Sequence, residues 1–544
     1  MSAMEEFPMS NSIRHYLQWL LLVPPCVAAS LLGVRWFGPN KPLAVSKSIA
    51  QPLQPSGQEK REYVLEVIGM GVTLDKYRQG KLWDALQGGN AYASIREQDE
   101  KKYTWDEMER EGIAGGRGGD SLENGAARTP MYFAVPVFNA EPPIFDARMM
   151  DSLDDPSIGL ASGAPLSGMH WHLFLAAARR FGEYPDRILE DVFAFFDSNP
   201  DAAYVVLNAE DSMSTRNLYR PQDSPPLAWD GYYIPEMPDS SALFVLARRE
   251  RIDAVRPFAF EDAPPEASVN DLNAHGVARR LFLTYNELIR KLPRRKPDSP
   301  GSRPPLVEEW LPVAAQFAQR SDIRGTGSFS MLHKLHPHDY HPPKDWKPTP
   351  WFPVPFNKEQ LAQLDALPTL GFIHRPTYVA MVDASGKPLA RRDERERALQ
   401  TGWQQALRSL PEGERAAAPA RIVSATGGNT QQEVALHKTL MQHAHVGGPE
   451  LDAGNPAHWI DTDRRLGNTG AATLLVQMAI GVMGSYRDGG VSAAINLRNP
   501  AEASIVMISP PSEEKRRLQQ HARGGDVFGH HVTLAIDPAN YPQN

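Results

Sequence analysis

Histidines are the residues best suited to chemistry in this chain. His333, His336, His338 and His341 lie close together with Asp339, and neutral imidazoles beside a carboxylate bind zinc when a rigid scaffold converges them. The stretch that carries them, HKLHPHDYHPPKDWKPTPWFPVPF, is too rich in proline for regular structure. No HExxH pattern occurs, so these four are weak metal candidates, and no metal or other cofactor is expected. His170 and His172, His443 and His445, and His530 and His531 read as packing residues at element ends. A serine nucleophile on a strained elbow needs G-x-S-x-G, which is absent. A P-loop is absent too, because Gly80-Lys81 precedes Leu82 and Gly386-Lys387 precedes Pro388. Gly69-Met70-Gly71 opens a dinucleotide fingerprint, but the third glycine position holds Leu74. Gly467-Asn468-Thr469-Gly470 precedes an apolar helical run, where backbone N–H groups receive an anion or a capping side chain. Asp461, Asp463, Arg464 and Arg465 beside it read as an ion-pair cluster. No nucleophile, base and orienting group come together, and no catalytic residue is assigned.

The elements that must position these residues alternate between strand and helix. YVLEVIGMGVTL from Tyr63 reads as a buried strand and DKYRQGKLWDAL as a helix. Residues 111–127 read as a glycine-rich loop, and MYFAVPVF as a strand. HWHLFLAAARRF and PDRILEDVFAFFDSNP read as a helical pair, the second stopped by Asn199-Pro200. AAYVVLNAED and ALFVLARR are strands, and a long helix follows Ser268. Beyond the boundary KLPRRKPDSPGSRPP comes a second series. LGFIHRPTYVAMVD reads as one strand, ERALQTGWQQALRSL as a helix, RIVSATGG and QQEVALHKTLMQHA as a strand and helix, and GAATLLVQMAIGVMGSY as an apolar helix. VSAAINLR and EASIVMISPP then read as antiparallel strands. The expected fold is α/β, with two α/β domains of mixed, mainly parallel sheets preceded by one N-terminal transmembrane helix. The expected segments are 1–37 for the membrane, 38–61 as a tether, 62–292 and 358–544 as the two domains, and 293–357 as a proline-rich connector. Both halves open on a strand containing Tyr-Val (Tyr63-Val64 and Tyr378-Val379) followed by a helix built around a tryptophan, a rhythm compatible with duplication.

From Tyr16 to Val34 the chain carries no charge over a length that spans a bilayer core. Tyr16 and Trp19 at one end and Trp36 and Phe37 at the other suit the interfaces. Arg35, Lys41 and Lys47 follow the run, so the expectation is a cytoplasmic body held at the inner membrane. A cleaved signal ending near Val27-Ala28-Ala29 is the competing reading. Across 544 residues, 42% are hydrophobic and 22% charged, which excludes a disordered tail and a many-span membrane protein. The formal charge of −8 offers no general attraction to nucleic acid. Cys26 is the only cysteine, which excludes an intrachain disulfide and a thiolate zinc site.

The tail DTDRRLGNTGAATLLVQMAIGVMGSYRDGGVSAAINLRNPAEASIVMISPP resembles the carboxyl-terminal part of the type VI secretion lipase adaptor family. VIGMGVTLDKYRQGKLWDAL and LPTLGFIHRPTYVAMVD are similar to other parts of it, so the resemblance spans about 62–510. It implies a non-catalytic adaptor or chaperone that binds a phospholipase effector and loads it onto the spike of a bacterial contractile secretion apparatus. Its partners would then be a lipase effector and a spike protein. No interface residue carries over, so Trp346, Trp351 and Phe352 are candidates for partner contact by chemistry alone. The alternatives are a membrane-tethered metal-dependent hydrolase using the loop from His333 to His341, and an exported periplasmic binding protein.

Overall fold

The computed structural model describes residues 63–126, 128–130, 134–145, 160–163, 172–181, 184–261, 277–293, 305, 307–317, 342–343, 345–349, 351–523 and 525–529. Among the described residues thirteen strands form one sheet: β1 (Val64–Leu74), β2 (Tyr77–Arg78), β3 (Ala134–Glu141), β4 (Leu160–Gly163), β5 (His172–Phe181), β6 (Tyr204–Asp211), β7 (Ser240–Ala247), β8 (Gly371–His374), β9 (Thr377–Ala380), β10 (Arg421–Ala425), β11 (Trp459–Asp461), β12 (Ser492–Asn496) and β13 (Glu502–Ser509). Their order is β11-β10-β12-β13-β8-β1-β7-β6-β3-β5-β4, with β2 on β1 and β9 on β13. The helices that matter below are α1 (Gln79–Gln87), α2 (Glu107–Ala126), α3 (Ile188–Ser198), α4 (Arg392–Arg408), α5 (Thr430–His445) and α6 (Thr473–Asp488).

This architecture corrects the expected one in two respects. The strands of 62–292 and 358–544 do not make two mainly parallel sheets. They join through the antiparallel pair β1–β8, and eight of the twelve strand pairings among the described residues are antiparallel. The physical reason is that β1 and β7 have apolar residues on both faces and take partners on both edges, so neither half ends in a free central strand. Nor is the expected transmembrane helix supported. Among the described residues no helix is long and apolar enough to cross a membrane, and the run from Tyr16 to Val34 lies outside them.

The seam is also an approximate two-fold axis. Reading outward from it, β1, β7, β6, β3 and β5 match β8, β13, β12, β10 and β11. In each half the first two steps are antiparallel and the next two parallel. The matched strands also occur in the same chain order, which gives the duplicated rhythm of the sequence a structural counterpart. The repeat begins with β8, however, not with the Tyr378-Val379 strand β9.

Two local misreadings have physical causes. The glycine-rich stretch is the helix α2, whose glycines let it lie against β1 backbone to backbone. A Cβ at Gly71 would overlap the Ser121 carbonyl, and one at Gly69 the Gly125 carbonyl. The pair Gly69 and Gly71 therefore serves close packing. His172–Phe181, rich in helix-forming alanine, is a strand between β3 and β4, where sheet pairing overrides propensity. The single strand expected over LGFIHRPTYVAMVD divides into β8 and β9. The apolar helix α6 is buried on every side, and one core cluster runs from β1 and β7 through α6 to β13.

Candidate partner-binding surface

Around the start of α2 the sequence places large apolar side chains in water. Asp106 caps the helix, its carboxylate accepting from the Glu109 N–H at 2.9 Å. On either side of the cap, Trp105 is 51% exposed and Met108 79%. The proline-rich segment 220–238 folds over the same helix end, and Leu227, Trp229, Tyr232 and Ile234 are exposed there. Exposed apolar patches rimmed by polar residues mark interaction sites.

The segment is held by specific bonds. Gly231 donates its N–H to the Trp105 carbonyl at 2.8 Å, and its φ of +130° explains the glycine. Asp230 accepts from the Glu107 N–H at 3.0 Å. Arg110, buried beneath, donates to the Gly231 and Tyr233 carbonyls. Its guanidinium lies 3.8 Å from the centre of the Tyr233 ring, which stacks on Trp229 at 4.0 Å. Arg96 donates to the Pro235 carbonyl at 2.7 Å and ties the segment to Asp75 at 3.1 Å. Asp75 and Asp239 share the buried Arg117. A surface fixed this way loses little conformational freedom when a partner covers it.

The residues singled out in the sequence occupy other positions. Trp346, Trp351 and Phe352 are buried in the core. Trp351 donates from Nε1 to the Asn199 side chain at 3.1 Å and packs edge-on against Phe195, while Trp346 meets Phe258. The cluster His333, His336, His338 and His341, with His170, His530 and His531, lies outside the described residues. Among the described residues no group of three or more His, Cys, Asp or Glu is placed to hold a metal ion. His443 donates from Nε2 to the Ala418 carbonyl at 2.9 Å and packs against Trp403. The helix start at Gly467–Gly470 does receive an anion, and it is the chain's own. The Asp211 carboxylate accepts from the Ala471 N–H at 2.7 Å, where a Cβ on Gly470 would overlap it. The N–H groups of Thr426 and Gly427, after β10, likewise point at Asp463 at 2.6 and 2.7 Å. Beside them lies a small depression lined by Tyr92, Ser424, Thr426 and Trp459. There Arg464 pairs with Glu433 and Asp461, and burial pushes the Asp461 carboxyl up.

One contact missed in the sequence resembles hydrolase machinery. The Ser509 hydroxyl lies 2.8 Å from Nε2 of His374 and 2.7 Å from Glu414. His374 Nδ1 faces the Ser409 carbonyl at 3.0 Å and so carries a proton. In a serine hydrolase the carboxylate orients the histidine; here Glu414 competes with the imidazole for the single serine proton. Ser509 and His374 are buried on adjacent strands, 5% and 4% exposed. Burial lowers the His374 pKa, with the Ser409 carbonyl and Glu414 opposing it. The arrangement works as a buried polar bridge between β8 and β13 of the second half.

Residues 63–230 match the family described as type VI lipase adapter protein Tla3, N-terminal. Residues 370–510 match its C-terminal counterpart. The chain belongs to the type VI lipase adapter family. The exposed aromatic surface of this adapter draws Trp105, Met108 and Trp229 from the N-terminal match and Tyr232 from just beyond it, while the Ser509 bridge and the helix α6 fall within the C-terminal one. Among solved structures the adapter is similar to the oxazolomycin ketosynthase domain of Streptomyces albus JA3453, with 6% identity, 83% of this chain and 96% of that one covered, and a TM-score of 0.37. The ketosynthase from module 6 of the bacillaene synthase of Bacillus subtilis 168 aligns at 9% identity over 83% of this chain and 72% of that one, with a TM-score of 0.38. At these TM-scores the likeness carries no argument about activity.

Proposed function

We propose that this adapter acts without catalysis, holding a phospholipase effector inside the producing cell and presenting it to the spike of the type VI secretion apparatus. The observation that carries the reading is the match to the lipase adapter family at both ends of a single continuous sheet. A hydrogen-bonded aromatic surface left open to solvent supports it, since a protein whose work is to hold another needs a preformed contact face. The competing demand of Glu414 on the Ser509 proton supports the absence of catalysis.

Deletion of the gene, followed by measurement of lipase in the culture medium, tests the role. Secretion stops without the adapter, returns with the wild-type gene, and returns equally with Ser509→Ala. Lipase secreted at the wild-type level by the deletion strain would overturn the adapter role. Loss of complementation by a stably folded Ser509→Ala protein would overturn the non-catalytic one.

A further inference from the structure

We propose that the platform formed by Trp105, Met108, Trp229 and Tyr232 is the face that holds the lipase, and that it takes a basic amphipathic surface, an apolar knob ringed by lysine or arginine. The proposal rests on the adapter reading and adds where the cargo sits and what chemistry it presents. The apolar centre is the first half of the argument. Tryptophan, tyrosine and methionine give large contact areas with few rotatable bonds in the aromatic cases, and the bonds from Arg110, Asp230 and Gly231 already fix the segment that bears Trp229 and Tyr232.

Charge supplies the second half. Segments 97–111 and 220–236, which build the platform and its edge, contain ten acidic residues and four basic ones. Asp106, Glu107, Glu109, Asp223, Asp230 and Glu236 are exposed, and none of the six makes an ion pair with a described residue. Of the four bases, Arg110 is consumed beneath Tyr233, Arg220 bonds Asn217 and Ser224, and Lys102 pairs with Glu97, which leaves the exposed Lys101 against the six acids. The rim is therefore an acidic ring around an apolar centre, within a Debye length of anything that docks there. Such a ring repels anionic lipid and nucleic acid. It also disfavours a second copy of the chain, because a two-fold contact would set the acidic ring against itself. A cationic face complements it, and complementary charge speeds association.

The test uses the full-length adapter and the purified lipase that co-purifies with it, measured by biolayer interferometry at 50, 150 and 400 mM NaCl. Two variants are compared: Met108→Ala with Trp229→Ala, and Glu107→Gln with Asp230→Asn and Glu236→Gln. Circular dichroism checks that each remains folded. The wild type is expected to weaken at least tenfold across the salt series. The apolar variant should bind at least tenfold more weakly at every salt concentration. The charge variant should associate about tenfold more slowly at 50 mM and lose most of its salt dependence. Wild-type binding by both variants would overturn the platform while leaving the adapter reading intact. A wild-type chain that captures no lipase would overturn both. Loss of spike binding with lipase binding retained would overturn the assigned occupant, as would a wild-type dimer that either variant dissociates.

Discussion

At the residue scale, the two-fold axis gives matched strands and helices opposite polar solutions. The end of β6 reaches the start of α6, where Asp211 accepts from Ala471 at 2.7 Å. The end of the matched strand β12 reaches the turn before α3, where Asn496 donates to Asp186 at 2.9 Å. In the first contact the carboxylate comes from the strand, and in the second from the helix side. Burial raises the Asp186 carboxyl to about 6, and Glu502 adds to this, while hydrogen bonds from Ser504 and Asn496 offset part of it. Below about pH 4 this side chain is protonated both folded and unfolded. As pH rises to 6 the unfolded chain releases the proton first, so the buried group increasingly opposes folding, by about 3 kcal/mol at neutral pH. Asp186→Asn keeps an oxygen for Asn496. Its melting temperature should exceed that of the wild type at pH 7.5, and the gap should close towards pH 4 in differential scanning fluorimetry. A constant gap across that range would show that the carboxyl does not titrate as described. At the matched contact, Gly470→Ala places a methyl into the Asp211 carboxylate at a backbone φ of +53°. It should lose about 2 kcal/mol or more in urea unfolding, and Gly231→Ala, with nothing near its Cβ, should lose about 1 kcal/mol from its backbone conformation alone.

At the element scale, α2 joins the core to the proposed docking face. Its last two turns lie on β1 through Gly71, Ser121 and Gly125, and its first turn carries Met108 and the acidic rim. Gly71→Ala forces this helix off the sheet and should cost about 3 kcal/mol. Met108→Ala at the opposite end should stay within about 0.5 kcal/mol, because that side chain is in water. Chemical denaturation of the two variants separates these effects, and equal losses would contradict the division of labour along the helix. The same element shows what sequence reasoning missed. The strand–turn–helix order of the C-terminal half, from ERALQTGWQQALRSL to EASIVMISPP, was legible because apolar periodicity and terminal glycines agree. The stretch 111–127 was not, because glycine lowers helix propensity by roughly 1 kcal/mol per residue. What offsets that loss is close approach to β1, which no local pattern reports. The aromatic platform was invisible for a related reason: Trp105 and Trp229 are far apart in sequence and are brought together by the bonds of Gly231, Asp230 and Arg110. The contact of His374 with Ser509 spans a similar gap.

For the whole molecule, the seam joins the strands of 62–292 to those of 358–544. Residues 351–356 of the connector enter the shared core, and Arg375 of the second half pairs with Glu190 and Asp197 of the first. Arg187 and Glu502 form a further ion pair across the halves. The full chain should therefore unfold in one transition in scanning calorimetry. A fragment covering 358–544 should fail to give a sharp transition, because β8 would lose the β1 partner that fills its outer edge. Two well-separated transitions would argue against the single sheet.

The antiparallel pairing of Val64–Val67 with Gly371–His374 also governs how the polypeptide emerges from the ribosome. About 300 residues must be translated after the first strand before the partner of this edge exists, which takes about 15–60 s at cellular elongation rates. Throughout that interval a nascent chain displays an apolar ribbon with open hydrogen-bonding groups. A molecule proposed to shelter a lipase is thus itself in need of shelter while it is being made.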